Sequence, residues 1–128
     1  MKKYNPVIFI VDDEPLLSEM LTDYLLEQHA GFHIKSFATG EACLQSLDVQ
    51  PDAVVLDFYL NSMEKDAANG IDILKEIKKR NKALPVIMLS SQESYGTAVQ
   101  TIMHGAVHYV IKSQDAFKEI FELIKANV

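Results

Sequence analysis

The chain of 128 residues is long enough for one domain with one sizeable core, and its 48% hydrophobic and 23% charged residues suit a soluble globular protein. Twelve basic against 18 acidic side chains leave a net charge of -6, which disfavours non-specific binding to nucleic acid or anionic lipid, so neither is expected as a direct partner. The single cysteine, Cys43, cannot form an internal disulfide and fits a reducing cytoplasm, the expected location; the opening MKKYNP is short and polar for a signal peptide, and no apolar run approaches the ~20 residues of a membrane span.

In chain order, strand and helix patterns alternate five times. Residues 7–11 (VIFIV) form a continuous apolar run, as a strand buried on both faces requires. Leu16, Leu17, Met20, Leu21, Tyr24 and Leu25 then recur at helical spacing. Phe32, Ile34 and Phe37 belong to a second, more polar strand, expected at a sheet edge, and residues 41–47 to a short helix. Pro51 precedes a buried strand at 53–56; Ile71, Leu74 and Ile77 mark a third helix that ends in Lys78, Lys79 and Arg80. Pro85 opens the strand 86–89, and Ser94 is a candidate cap for a fourth helix that stops near Gly105. Residues 107–111 read as the fifth strand, and Phe117, Ile120, Phe121 and Ile124 line the last helix. Alternation of this kind predicts an α/β fold: a parallel five-stranded sheet, doubly wound, with helices on both faces, in one domain spanning 1–128.

In such sheets ligands bind beyond the carboxyl ends of the strands. Asp12 and Asp13 follow the first strand, Asp57 the third; Ser90 ends the fourth and Lys112 the fifth. Three carboxylates brought together repel one another, and burial adds to the cost. A hard divalent cation relieves that repulsion, and carboxylate oxygens suit Mg²⁺. The set fits an incoming phosphoryl group, with Asp57 as nucleophile and the metal, Lys112 and the Ser90 hydroxyl around the equatorial oxygens.

These residues, in VDDEP, VVLDFYL, LSS and GAVHYVIK, resemble the receiver domain of bacterial response regulators over nearly the whole chain. The resemblance implies a flavodoxin-like sheet of order 2-1-3-4-5. It also implies that Asp57 takes a phosphoryl group from the phosphohistidine of a histidine kinase or histidine phosphotransfer protein, or from a small phosphodonor. Asp12 or Asp13 would bind Mg²⁺ with Asp57 and the backbone carbonyl of Tyr59, and Ser90 and Tyr109 would form a coupled switch pair. Phosphorylation would draw Ser90 toward the phosphoryl group, turn Tyr109 inward and alter the surface of the fourth helix, fifth strand and fifth helix, which an output protein in another chain would read. Such a receiver promotes its own Mg²⁺-dependent phosphorylation and dephosphorylation without being an ordinary enzyme.

Singly, each residue has a plain structural explanation. Acids and proline favour the first turn of a helix, which covers 12–15; Asp57 is a reasonable turn residue, Ser90 a turn hydroxyl, Lys112 a solvated lysine and Tyr109 a half-buried sheet residue. Their order, each at a strand end, is what favours the chemistry. His29 and His33, and His104 and His108, are interrupted by Gly31 and Gly105 and do not make a zinc site. Cys43 reads as a small packed hydrophobe, and the basic run from Lys75 to Lys82 as a solvated helix end.

The chain departs from the family in three places. Leu60 and Asn61 replace a usual Met-Pro and Gly70 comes late, so segment 61–69, with Ser62, Glu64, Lys65, Asp66 and Asn69, reads as a mobile insertion beside the site. Ser113 replaces the proline after Lys112, which favours a trans bond and makes Ser113 a candidate cap for the fifth helix. Ser91 stands where alanine is common and is small enough to leave phosphoryl access open. Tyr59 and Gln92 would border the phosphoryl group on its open side, the ring excluding the hydrolytic water and the amide orienting it. Rival functions are a phosphatase of the haloacid dehalogenase class, opposed by Tyr59 where a second aspartate is needed, a docking module that is never phosphorylated, and a receiver fragment of a larger regulator.

Overall fold

A computed structural model describes residues 1, 3–60, 69–91 and 94–128. Five strands, β1 (Val7–Val11), β2 (His33–Phe37), β3 (Ala53–Asp57), β4 (Val86–Ser90) and β5 (His108–Ile111), alternate with five helices, α1 (Pro15–Gln28), α2 (Gly40–Gln45), α3 (Gly70–Arg80), α4 (Tyr95–Met103) and α5 (Ala116–Asn127). All strand pairs are parallel, in the order β2-β1-β3-β4-β5. The expected doubly wound, flavodoxin-like sheet is therefore present, with β2 at an edge.

The core explains why the strands read as unbroken apolar runs. β3 and β4 are buried at every position. Side chains alternate across the sheet: Ile8, Ile10, Val55, Ile87 and Leu89 join one core with Leu21 and Leu25 of α1 and Ile120 and Ile124 of α5. Phe9, Val11, Val54, Val86 and Met88 join the other with Ile73, Leu74 and Ile77 of α3. Cys43 is packed in the second core, where burial pushes its thiol up to about 12, so it behaves as a hydrophobe.

Local chemistry sets the helix ends. Thr39 accepts a bond from the Ala42 N–H at 3.2 Å, Asn69 from that of Asp72 at 3.2 Å, and Ser94 from that of Thr97 at 3.3 Å. Lys78, Lys79 and Arg80 close α3 with the charge its dipole favours. Several expectations move. The second helix stops at Gln45 rather than at 47, and Leu47–Val49 form a separate 3₁₀ turn. The cap of α5 is Asp115, whose side chain makes no capping bond, while Ser113 contributes its carbonyl to the Ala116 N–H at 3.2 Å. β5 begins at His108 rather than 107; the Val107 N–H, just before it, already donates to the Val86 carbonyl at 2.9 Å. The Lys112–Ser113 bond is trans, as expected. The segment 61–68 and Gln92 lie outside the described residues.

Gly70 ties α3 to the end of β3. Its N–H donates to the Phe58 carbonyl at 2.8 Å, and an added Cβ would sit 2.3 Å from the Asp57 carbonyl oxygen and 2.7 Å from the Phe58 Cα. Those neighbours are backbone and cannot rotate away. Gly70→Ala is therefore expected to destabilise the domain by about 1–3 kcal/mol, the usual range for overpacking, read as a lower urea midpoint at unchanged slope. Gly96→Ala is the control, since nothing lies within 4 Å of its missing Cβ.

Candidate functional site

The register of the sheet brings the acidic residues together. Val11 pairs with Leu56, so the residues that follow, Asp12 and Asp57, leave adjacent strands side by side. Asp57 is 2% exposed, Asp12 3% and Asp13 7%. One carboxylate oxygen from each lies within 4.8 Å of the others. On the far side, Ser90 pairs with Ile111, and the Lys112 N–H donates to the Ser90 carbonyl at 2.7 Å. That bond extends the β4–β5 ladder by one residue and turns Lys112 back over the strand ends.

The Lys112 ammonium lies 3.5 Å from Asp57 Oδ1, 3.6 Å from Asp12 Oδ2 and 3.4 Å from Glu14 Oε1. Asp57 Oδ1 also accepts the Tyr59 N–H at 3.3 Å, and Asp12 Oδ1 the Glu14 N–H at 2.8 Å. Asp12 Oδ2 is buried and accepts no hydrogen bond among the described residues; its cation contact is the lysine at 3.6 Å.

One ammonium does not balance this set. Burial, then the neighbouring Asp12 charge, push the Asp57 carboxyl up to about 7, against the pull of Lys112 and the Tyr59 N–H. Burial likewise raises Asp12, partly offset by the Glu14 N–H and Lys112. Burial alone would lower Lys112, but the charges of Asp57, Asp12 and Glu14 outweigh it and raise the lysine. Lys112 therefore stays charged while the acids compete for it.

Of the other residues expected at the site, Ser90 is fully buried at the end of β4. Ser91, next to it, is exposed. Tyr59 is half-buried, two residues past Asp57, and its ring meets that of Phe58 edge-on with centroids 4.9 Å apart. Tyr109 is half-buried on β5, opposite Met88 in register, and packs against the α3 side of the core. Gln92 is outside the described residues.

The residue missed from sequence is Glu14. Its carboxylate is largely exposed yet reaches the same lysine as the buried acids. The signal was present, since it directly follows Asp13 in VDDEP, but proline and acids at a helix start gave it an adequate explanation. Ser18 is also informative: it is buried on α1, its hydroxyl has no hydrogen-bond partner among the described residues, and it faces a cleft of about 310 Å³ that Asp12 also lines.

Comparison with known proteins agrees with this geometry. The family model "Response regulator receiver domain" matches residues 8–125. An NtrX-like response regulator of Rickettsia conorii is 36% identical over 93% of this chain and 24% of its own length. The transcriptional regulatory protein MalR of Bacillus subtilis is 32% identical over 82% of this chain and 43% of its own length. The chain thus spans less than half of these curated relatives. Among solved structures, the receiver domain of NtrX from Brucella abortus superposes with a TM-score of 0.79 at 27% identity, covering 94% of this chain and 99% of that one. The receiver domain of the Francisella response regulator 1452 shares the fold, with a TM-score of 0.81 at 22% identity and 95% of each chain covered. A family match over nearly the full length, on a sheet of the same order with its acids and lysine at the strand ends, makes this chain a member of the response regulator receiver domain family of two-component systems.

Proposed function

We propose that the domain is a phosphorylation-dependent switch in which Asp57 accepts a phosphoryl group from a histidine kinase, a histidine phosphotransfer protein or a small phosphodonor, and the phosphorylated state changes partner binding. The observation that carries this reading is a buried carboxylate, 2% exposed, 3.5 Å from a lysine ammonium and clustered with two more acids. A structural ion pair needs one acid, whereas this site holds a surplus of buried negative charge.

The donor set fits Mg²⁺: three carboxylates converge, and a buried Asp12 oxygen lacks a hydrogen bond among the described residues. Asp12, Asp13, Asp57 and the Tyr59 carbonyl would hold the ion. When bound, it supplies positive charge that offsets the acids and the equatorial phosphoryl oxygens. An Asp57 carboxylate oxygen attacks phosphorus in line; the phosphorus–nitrogen bond of the phosphohistidine breaks, and the electron pair leaves on the imidazole, which takes up a proton. Lys112 trades part of its contact with Asp57 for a phosphoryl oxygen, and the Ser90 hydroxyl donates to another. Moving Ser90 opens space behind it that the Tyr109 ring can enter, altering the α4–β5–α5 surface. That surface is suited to a readout: Val99, Ile102 and Met103 of α4 are exposed, and with His108 and Tyr109 they line an apolar groove of about 340 Å³. The greater length of the relatives favours a second reading, in which the output region is part of the same polypeptide; the reading frame beyond Val128 distinguishes the two.

Incubation with acetyl phosphate and Mg²⁺ should add one phosphoryl mass to the wild type and none to Asp57→Ala. A phosphorylated Asp57→Ala would remove Asp57 as the acceptor.

Metal affinity should depend on pH with a defined sign. Asp57 holds its proton up to about 7 in the metal-free fold, against an ordinary value of 3.8. The metal-free native state therefore binds the extra proton, and its stability declines as pH rises through that interval. Metal requires the ionised form, so calorimetric Mg²⁺ affinity should increase from about pH 6 to about pH 8 and then level. Asp13→Asn and Asp57→Asn should each lose most of the affinity. Affinity flat in pH, or unchanged in both variants, would show that the acids are not the ligands.

The lifetime of the phosphoaspartate should be set by the Tyr59 ring. A ring beside the in-line path removes the attacking water, whereas an amide at Gln92 only aligns it. Tyr59→Asn should speed loss of the phosphorylated mass roughly tenfold, ~1.4 kcal/mol of barrier, and Gln92→Ala should slow it modestly. An unchanged or slower rate in Tyr59→Asn would mean the ring does not shield phosphorus.

A further inference from the structure

We propose that the cleft between the C-terminal end of α3 and the turn from α4 into β5 is a docking site for an acidic segment of a partner protein. Five of the chain's 12 lysine and arginine residues, Lys75, Lys78, Lys79, Arg80 and Lys82, fall within eight positions of a protein whose net charge is -6. The cleft, about 470 Å³, is lined by Lys75, Lys78, Lys82, Met103, His104 and Gly105, and among the described residues no carboxylate lines it.

The five cations are not equivalent. Arg80 is occupied by Glu76 at 3.1 Å and by the Leu44 carbonyl at 3.2 Å. Lys78 donates to the carbonyls of Lys82 at 3.1 Å and Leu84 at 2.6 Å. Its stem packs beneath Gly105, whose positive φ of +103° and closeness (a Cβ would meet Lys78 Cε at 3.1 Å) bring the turn down onto the lysine. Lys78 is thus a fixed post that joins the two walls. Lys75 and Lys82 flank it and are exposed. Met103 is 79% exposed at the rim and offers an adaptable apolar contact.

A helix C-terminus attracts cations by its dipole, which accounts for Lys78, Lys79 and Arg80 in the last turn. It does not account for Lys82 beyond the helix, for Lys75 a turn earlier, or for an exposed methionine lining the same cleft. The chemistry of the cleft selects among anions. A helix C-terminus presents carbonyl oxygens, and the Lys78 ammonium is already spent on two carbonyls of the loop that follows, so a compact phosphate finds neither backbone N–H groups nor a free guanidinium fork. Two exposed lysines and an exposed methionine lining one cleft suit spaced carboxylates with an apolar side chain between them. A nucleic acid would need a basic track longer than one cleft, on a surface that is otherwise acidic.

The location gives such a contact a use. α3 starts with Gly70 against the Asp57 backbone, and its 11 residues carry the chain about 16 Å away, to the opposite end of the sheet. A partner held here leaves the acidic end of the domain open.

The test is titration of ¹⁵N-labelled protein with a synthetic peptide of glutamates interrupted by two leucines. Amide shifts are expected to concentrate at 75–82 and 103–105. The double variant Lys75→Gln, Lys82→Gln should bind about tenfold more weakly, as the loss of two exposed charge contacts implies. Met103→Ser should weaken this peptide but not an all-glutamate one. If the double variant melts lower than wild type, Lys82→Gln alone is titrated and should still weaken binding. Shifts centred elsewhere, equal affinity in the lysine variants, or tighter binding of tripolyphosphate or a short single-stranded DNA at the same residues would each overturn the proposal.

Discussion

Three carboxylates buried around what is, among the described residues, a single ammonium set the terms for the rest of this molecule. Asp12 and Asp57 leave neighbouring strands at the same level with Asp13 beside them, and Lys112 reaches Asp57 from two strands away and Asp12 from three. Burial pushes the Asp57 carboxyl up to about 7 and raises Asp12 as well, so gathering these acids carries an electrostatic cost that hydrophobic packing elsewhere must offset. That cost is bearable because β3 and β4 are buried at every position and sandwiched between two continuous cores. A site of this kind belongs on a stiff sheet, since looser elements would relax the acids apart.

The arrangement around Lys112 is one that would let a single residue serve both states of the proposed switch. Its backbone is fixed by the bond to the Ser90 carbonyl, while its ammonium is shared among Asp57, Asp12 and Glu14 at 3.4–3.6 Å, longer than tight hydrogen-bonded pairs. A cation held loosely by several acids can be redistributed toward an incoming phosphoryl group without breaking any single strong contact. Glu14 is the most exposed of the three partners and the least constrained.

Charge and apolar surface are divided by the topology. A parallel sheet sends every strand's carboxyl end one way, so the acids of the βα turns collect at one end, while the helices return to the other end, where the lysines closing α3 lie. α4 differs from the other helices: Thr101 is its buried residue, and Tyr95, Val99, Ile102 and Met103 face outward. A helix anchored by so little apolar burial can be displaced at lower cost than α1, α3 or α5.

Much of this was legible in the residues alone, because the relevant rules are local or periodic. Unbroken runs such as VIFIV and VIMLS required strands covered on both faces, the spacing of Ile71, Leu74 and Ile77 required a helix with one apolar side, and Ser94 capped its helix as its chemistry demands. Alternation of strand and helix then placed Asp12, Asp13, Asp57, Ser90 and Lys112 at strand ends. What the sequence could not decide depends on distance across the fold. The share of Glu14 in Lys112 spans 98 residues, and the need for glycine at position 70 comes from the Asp57 and Phe58 backbone packed against it. Ser113 had the right side chain for a cap, but α5 starts at Ala116, which leaves the cap position to Asp115. Lysines that are only a basic run in the sequence become a cleft once Gly105 folds over Lys78. Pattern and propensity act through neighbours in the chain, whereas pairing, burial and close approach are properties of segments that meet only after the sheet has formed.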